Sequence, residues 1–329
     1  MTAIYPWQQA AWAHLLSYIE QQRIPQALLV TGIAGLGQRH LLDAYARSLL
    51  CHSPRADRQA CGHCQSCKLL DAQTHPDFLI VEPDEPGKAI GIDKIRQLIV
   101  KLALKPQFEA FRVVIIEPAD SLNTASANAF LKCLEEPTER TCLILLSEQP
   151  SRLPATIRSR CQKIALTLPD AELAQRWLAA QGVDRDAELA LNLAQGAPLL
   201  ALDYARLDFG AARQACFGQW LQIAQGNANP LQTAEQWQKQ AQPDLTVVLG
   251  WMAGWVADIV KYALGGDVDQ VCNPDLKKSL QALGERLELK ALCQFYDALL
   301  LARAQLVTQV NKQLLLEQLL IDWSQLNIR

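Results

Sequence analysis

Up to about residue 167 the chain alternates short β-branched runs with helix-spaced stretches, and after Leu168-Pro169-Asp170 the β-branched runs stop. Such alternation builds a parallel sheet covered on both faces by helices. The runs Ala27 to Thr31, Phe78 to Glu82, Arg112 to Glu117, Thr141 to Ser147 and Gln162 to Thr167 predict strands apolar enough to be buried on both sides. Between them, Leu41, Leu42, Tyr45, Leu49 and Leu50 share one helical face, as do Ile95, Leu98, Ile99 and Leu102. Beyond residue 167, Ala, Leu and Gln recur at helical spacing almost to Arg329. The expected fold class is therefore α/β plus all-α. Boundaries are expected near residue 167 and near Leu207, where Asp208-Phe209-Gly210 interrupts the helical pattern, giving domains 1–166, 167–207 and 208–329. The run Leu245 to Ala257 stops at Asp258, short of the ~20 apolar residues that span a bilayer, and predicts a buried helix. The segment Asn311 to Trp323 is too apolar for a solvated helix and should pack on a bundle or a partner.

Charge narrows the function. A formal net charge of -3 on 329 residues is a poor match to wrapping nucleic acid over a broad basic surface, so any DNA contact should be local or shared. The opening residues carry no secretory pattern, which sets the expectation of an intracellular, cytoplasmic protein without a membrane partner.

The strand Ala27 to Thr31 runs into Gly32-Ile-Ala-Gly-Leu-Gly37-Gln38-Arg39 and then a helix, the context of a phosphate loop of pattern G-x-x-x-x-G-K-[ST]. The glycines are in register, but Gln38 stands where a lysine reaches the β and γ phosphates. Arg39 stands where a hydroxyl ligates magnesium. The later segment Val113-Val-Ile-Ile116-Glu117-Pro118 has the form of a Walker B strand. Glu117 could still hold a metal there, whereas Pro118 replaces the carboxylate that polarises the attacking water. Hydrolysis by this chain is not expected, and no nucleotide is expected in its site beyond weak binding through backbone amides.

Four of the ten cysteines, Cys51, Cys61, Cys64 and Cys67, are separated by nine, two and two residues in an insertion between the helix after the phosphate loop and the next strand. A double C-x-x-C gathers thiolates on tight turns, and a fourth sulfur completes a tetrahedral zinc site with no open position, which makes the metal structural. An iron-sulfur cluster is the rival, but the Cys-Pro that follows in ferredoxin motifs is missing after Cys67. His52, His63 and His75 are available as substitutes but are expected at the surface, and the other six cysteines as buried small hydrophobes.

Asn128-Ala-Phe-Leu-Lys132-Cys-Leu-Glu-Glu-Pro137 after the Walker B-like strand, Thr156-Ile-Arg158-Ser159-Arg160-Cys161 before the last strand, and Tyr5-Pro6-Trp7 resemble motifs of AAA+ clamp-loader proteins. The sequence is most similar to the delta prime type from bacterial DNA polymerase III. That resemblance implies an AAA+ α/β domain with a zinc module at about 51–67, a small helical lid and a helical collar. It also implies gamma or tau and delta subunits as partners, with sliding clamp and primed DNA reached through the complex. Carried over by motif, Arg160, flanked by Ser159 and Cys161, is the arginine finger reaching a neighbour's ATP, with Arg158 as the alternative and the salt-bridge partner. Lys94 and Arg96, at the start of the Ile95 helix, are the DNA-contact candidates, against the plainer reading of a solvated charged face. Glu135 and Glu136 are expected to be solvated charges at a helix end. Two other readings stay open: an active gamma-like ATPase subunit with a divergent phosphate loop, and a zinc-bearing nucleic-acid regulator without a motor partner.

Overall fold

The computed structural model describes residues 3–108, 111–136, 138–183, 187–207, 209–239, 243–265, 271–306 and 310–326; Pro137, Asp208 and Arg329 lie outside them. The chain forms two compact units, Met1–Leu173 and Ala174–Arg329.

The first unit holds α1 (Gln9–Glu20), β1 (Ala27–Thr31), α2 (Gln38–Leu50), α3 (Gln65–Asp71), β2 (Phe78–Val81), α4 (Ile92–Leu102), β3 (Arg112–Ile116), α5 (Thr124–Glu135), β4 (Thr141–Ser147), α6 (Ala155–Arg158) and β5 (Gln162–Ala165). The strands pair in parallel in the order β2-β3-β4-β1-β5. Because successive strand residues point to opposite faces, Leu28, Val30, Val113, Ile115, Ile144 and Leu146 build one core with α1 and α2. Leu29, Val114, Ile116, Leu143 and Leu145 build the other with α4 and α5. All the predicted strands form, yet only the three central ones are covered on both sides. β2 and β5 are sheet edges with exposed positions, Ile80 among them, which corrects the expectation of full burial. Both end a residue or two early, where pairing runs out. The predicted apolar face of α2 is buried as drawn; on α4, Ile95, Leu98 and Leu102 are buried and Ile99 is partly so.

A buried ion pair ties the edge strand to the sheet. Arg112 meets Asp77 at 3.1 Å and donates to the carbonyls of Lys101, Leu104 and Lys105, closing the C-terminus of α4, where carbonyls would otherwise lack donors. Asp77 also accepts from the backbone N–H groups of Gln107 and Phe108.

The second unit is helical. Helices α7 (Ala171–Ala180, which starts just before the unit), α8 (Ala187–Leu193) and α9 (Pro198–Arg206) share a small core of Ala174, Leu178, Leu191 and Leu202. Helices α10 (Phe209–Ala224), α11 (Pro230–Lys239), α12 (Leu245–Ala263), α13 (Lys277–Gly284), α14 (Leu289–Gln305) and α15 (Lys312–Leu326) surround a second, aromatic core. There Trp220 and Trp323 stack at 3.8 Å between ring centroids, and the Trp323 indole donates to the carbonyl of Trp220. The apolar C-terminal segment thus packs on its own bundle through Leu316, Leu319, Leu320 and Trp323. Helix α12 is long and apolar enough to cross a membrane by composition, but Trp251, Trp255 and Val256 bury it in this core. It runs past Asp258, where the sequence reading ended it, because that carboxylate accepts from Cys272 N, Asn273 N and Asn273 Nδ2. Asn273 and Asp275 in turn receive the fully buried guanidinium of Arg213.

Candidate functional site

In open parallel sheets, ligands bind beyond the carboxyl ends of the strands, where strand order reverses. Here the chain leaves β1 for the far edge at β2 and returns, so the loop after β1 sits at such a point. Gly35 and Gly37 adopt φ of 83° and 75°, left-handed backbone that a side chain would strain; of the two glycines in register, Gly37 answers this demand and Gly32 the close approach of Leu166, where a Cβ would lie 3.2 Å away. From outside, Trp7 Nε1 donates to Leu36 O at 2.9 Å, and Gln8 Nε2 donates to Leu36 O and Gly37 O at 2.8 Å.

The two substituted positions point inward. The Gln38 side chain is buried and its Nε2 donates to Ile33 O at 2.6 Å, across the mouth of its own loop. Arg39 reaches Asp43 at 2.9 Å on its own helix, Glu82 at 3.2 Å after β2 and Glu117 at 2.5 Å after β3. Burial by itself works against the guanidinium charge, but the bonds to Glu117 and Asp43 hold its pKa above the usual arginine value. Nearby, burial and then the charges of Asp120 and Glu117 push the Glu148 carboxyl up. Glu117, read from sequence as a possible metal ligand, is engaged by Arg39. The residues therefore do not fit a magnesium-nucleotide: the loop lacks its lysine and hydroxyl, and a fixed cation holds the Walker B carboxylate.

Ser159, Arg160 and Cys161 connect α6 to β5. Cys161 is buried, while Arg160 is half-exposed, donating to Thr156 O at 3.0 Å and to Glu135 at 2.8 Å. Glu135 is thus a partner of Arg160 and not simply a solvated charge; a separation of 25 positions leaves no local sequence signal. Arg160 lies two residues before β5, whose far end, Ala165, pairs with Thr31 at the start of the phosphate loop. Those three strand steps alone separate Arg160 from its own loop by about 10 Å. Arg158, read as a salt-bridge partner, is half-buried with its Nε unmatched by any hydrogen bond.

The four cysteine sulfurs lie within 4.8 Å of one another. Three of the distances are 3.8 Å (Cys51 to Cys64), 3.9 Å (Cys61 to Cys67) and 3.7 Å (Cys67 to Cys51). A tetrahedron with ~2.3 Å metal–sulfur bonds has edges of ~3.8 Å, so the quartet is shaped to hold a metal. Backbone N–H groups of Cys61 and Cys64 point at Cys51 and Cys61 sulfurs, both at 3.3 Å. The backbone N–H of His63, with that of Cys64, brings the Cys61 thiol down to about 6, whereas burial pushes Cys67 up to about 12. None of the three histidines joins the quartet. His75, expected at the surface, is buried: its Nδ1 accepts from Asp77 N and its Nε2 meets Ser66 Oγ, which donates to Leu50 O. Outside the quartet, Cys133, Cys142, Cys161 and Cys216 are buried as expected, but Cys272 and Cys293 are exposed.

Lys94 contacts Glu82 O at 2.6 Å and Asp84 at 2.7 Å, and Arg96 pairs with Asp93 at 3.1 Å. Both candidate DNA contacts sit on the solvent side of α4 beside carboxylates.

Two family descriptions match the chain: "DNA polymerase III, delta subunit" over residues 7–170 and "DNA polymerase III, delta subunit, C terminal" over residues 208–325. DNA polymerase III subunit delta' of Pseudomonas aeruginosa is 37% identical, covering 99% of this chain and 99% of its own. The Escherichia coli subunit delta' is 32% identical, covering 96% of this chain and 94% of its own. A solved gamma subunit-related protein from Thermotoga maritima aligns over 95% of this chain and 99% of its own, with 17% identity and a TM-score of 0.43. Matched by those descriptions and by relatives aligned almost end to end, the chain belongs to the DNA polymerase III delta' family.

Proposed function

We propose that this chain is a non-hydrolysing, cytoplasmic delta' subunit of a bacterial clamp loader. It joins gamma or tau and delta subunits, and through them acts on the sliding clamp and primed DNA. Residues 167–207 serve as its lid and 208–329 as its collar. Arg160 is supplied to a neighbour's ATP, and the cysteine quartet carries a structural zinc. The observation that carries the reading is a division within one sheet: the end bearing the phosphate loop has lost its hydrolytic groups, while a half-exposed arginine stands at the other end, out of reach of that loop.

The purified chain alone is expected to show no ATP turnover above background, and to co-elute with gamma or tau and delta subunits into an assembly that loads clamps. Vigorous turnover by the isolated chain would instead identify an active gamma-like subunit.

For DNA, a Lys94→Ala/Arg96→Ala chain in that assembly is expected to weaken primed-DNA binding and to lower the salt slope by about two, one per lost phosphate contact. An unchanged slope removes both residues from the DNA path.

A further inference from the structure

The phosphate loop is not merely stripped of function; its own side chains fill it. Gln38 lies inside the loop, so near Gly32 that a Cβ on that glycine would come within 3.1 Å of Gln38 Nε2. Its bond to Ile33 O holds the amide there. Leu36 O and Gly37 O are held from the other side by Trp7 and Gln8, so both walls of the loop are pinned. Arg39 then brings one guanidinium to carboxylates following two different strands, Glu82 and Glu117, and to Asp43 on its own helix. A divalent ion in this fold would sit beside the Walker B carboxylate and neutralise the triphosphate. Arg39 occupies that carboxylate with positive charge through Nη1, while the same Nη1 and Nε are committed to Glu82 and Asp43, so Glu117 is not left as a free anionic ligand for a metal. A triphosphate entering without metal would meet Asp43, Glu82 and Glu117 with one shared cation between them.

We propose that Gln38 and Arg39 form an internal ligand set that shuts magnesium-nucleotide out of this site, with Arg39 replacing the metal on Glu117. This rests on the non-hydrolysing reading and deepens it: the site is a closed joint, fixing α2 to the ends of β2 and β3 without a nucleotide.

The test uses the full chain and separates binding from turnover. Magnesium-ATP binding is measured by calorimetry, and manganese binding by electron paramagnetic resonance, for the natural chain, Arg39→Met and Gln38→Lys/Arg39→Thr. The natural chain should bind neither probe at millimolar concentration. Arg39→Met should gain manganese, because the three carboxylates lose their cation. The double variant should gain magnesium-ATP affinity by about tenfold to a hundredfold, the effect of one or two restored charged hydrogen bonds. Saturable magnesium-ATP binding by the natural chain overturns the proposal, and this measurement decides even where a variant does not fold. So does a folded double variant, with unchanged circular dichroism, that gains nothing. ATP turnover by the natural chain is a different result and defeats the non-hydrolysing reading instead.

Discussion

Replacing Arg160 with alanine is expected to leave the assembled complex intact and to cut hydrolysis at the one ATP site facing it by about a thousandfold, the lower end of what a finger supplied in trans contributes. Assembly should survive because the packing around the motif belongs to its neighbours: Ile157 and Cys161 are buried against the core with Phe130 and Cys133, whereas Arg160 is half-exposed. The resting contact with Glu135 is solvent-exposed at both ends, and such pairs are worth only ~0–1 kcal/mol. A neighbouring triphosphate, with several negative charges and oxygens that match a guanidinium fork, outcompetes one carboxylate. Arg160→Lys keeps the charge and loses the fork, and should fall between the natural chain and alanine. Single-turnover hydrolysis by the reconstituted complex, with clamp and primed DNA, is the measurement. Alanine turnover equal to the natural rate would return Arg160 to the role of an ordinary surface residue.

Much of this was legible in the sequence because it depends on spacing or on local backbone demands. Gly35 and Gly37 are needed for a left-handed turn, and the double C-x-x-C fixes where four sulfurs meet. The substitutions at Gln38, Arg39 and Pro118 could be read as losses, since a motif states what each position should supply. What they do instead could not be read. Arg39 and Glu117 are 78 residues apart, and their meeting depends on the strand order. The same holds for Arg112 with Asp77, and for Arg213 with Asn273 and Asp275, where a charge is buried because distant groups satisfy it. Composition misled at His75 for this reason: its ring enters the interior only because Ser66 and the Asp77 amide meet both nitrogens. The edge strands misled differently, since Ile80 reads as core until the sheet order leaves β2 with a single neighbour.

Removing the metal is expected to unfold residues 51–67 while the sheet persists. The module has almost no apolar core of its own: its buried hydrophobic side chains are Cys51, Ala60, Cys61 and Cys67, with Cys64 against them. Burial on that scale cannot offset the entropy of ordering such a loop. A structural zinc held by thiolates supplies roughly 10–16 kcal/mol of binding free energy near pH 7, which becomes folding free energy when the site forms only in the folded state. The anchors to the rest of the unit are modest: Ser66 Oγ donating to Leu50 O, its contact with His75, and the His52 ring against Phe108 at 5.2 Å, with Leu70 of α3 in the sheet core. A strong chelator, or Cys67→Ser, should therefore open the segment to trypsin at Arg55 and Arg58. Circular dichroism should change little, because β1 to β5 and both sheet cores are built from other residues. The pH dependence has a definite sign. A metal holds its thiolates below their free pKa of ~8.5, so the stabilisation is present at neutral pH and is lost as protons compete at lower pH. Elemental analysis should find one zinc per chain in the untreated protein and none after acid or chelator. A metal-free preparation whose 51–67 segment resists trypsin as well as the untreated protein would show that the cysteines hold the module without an ion.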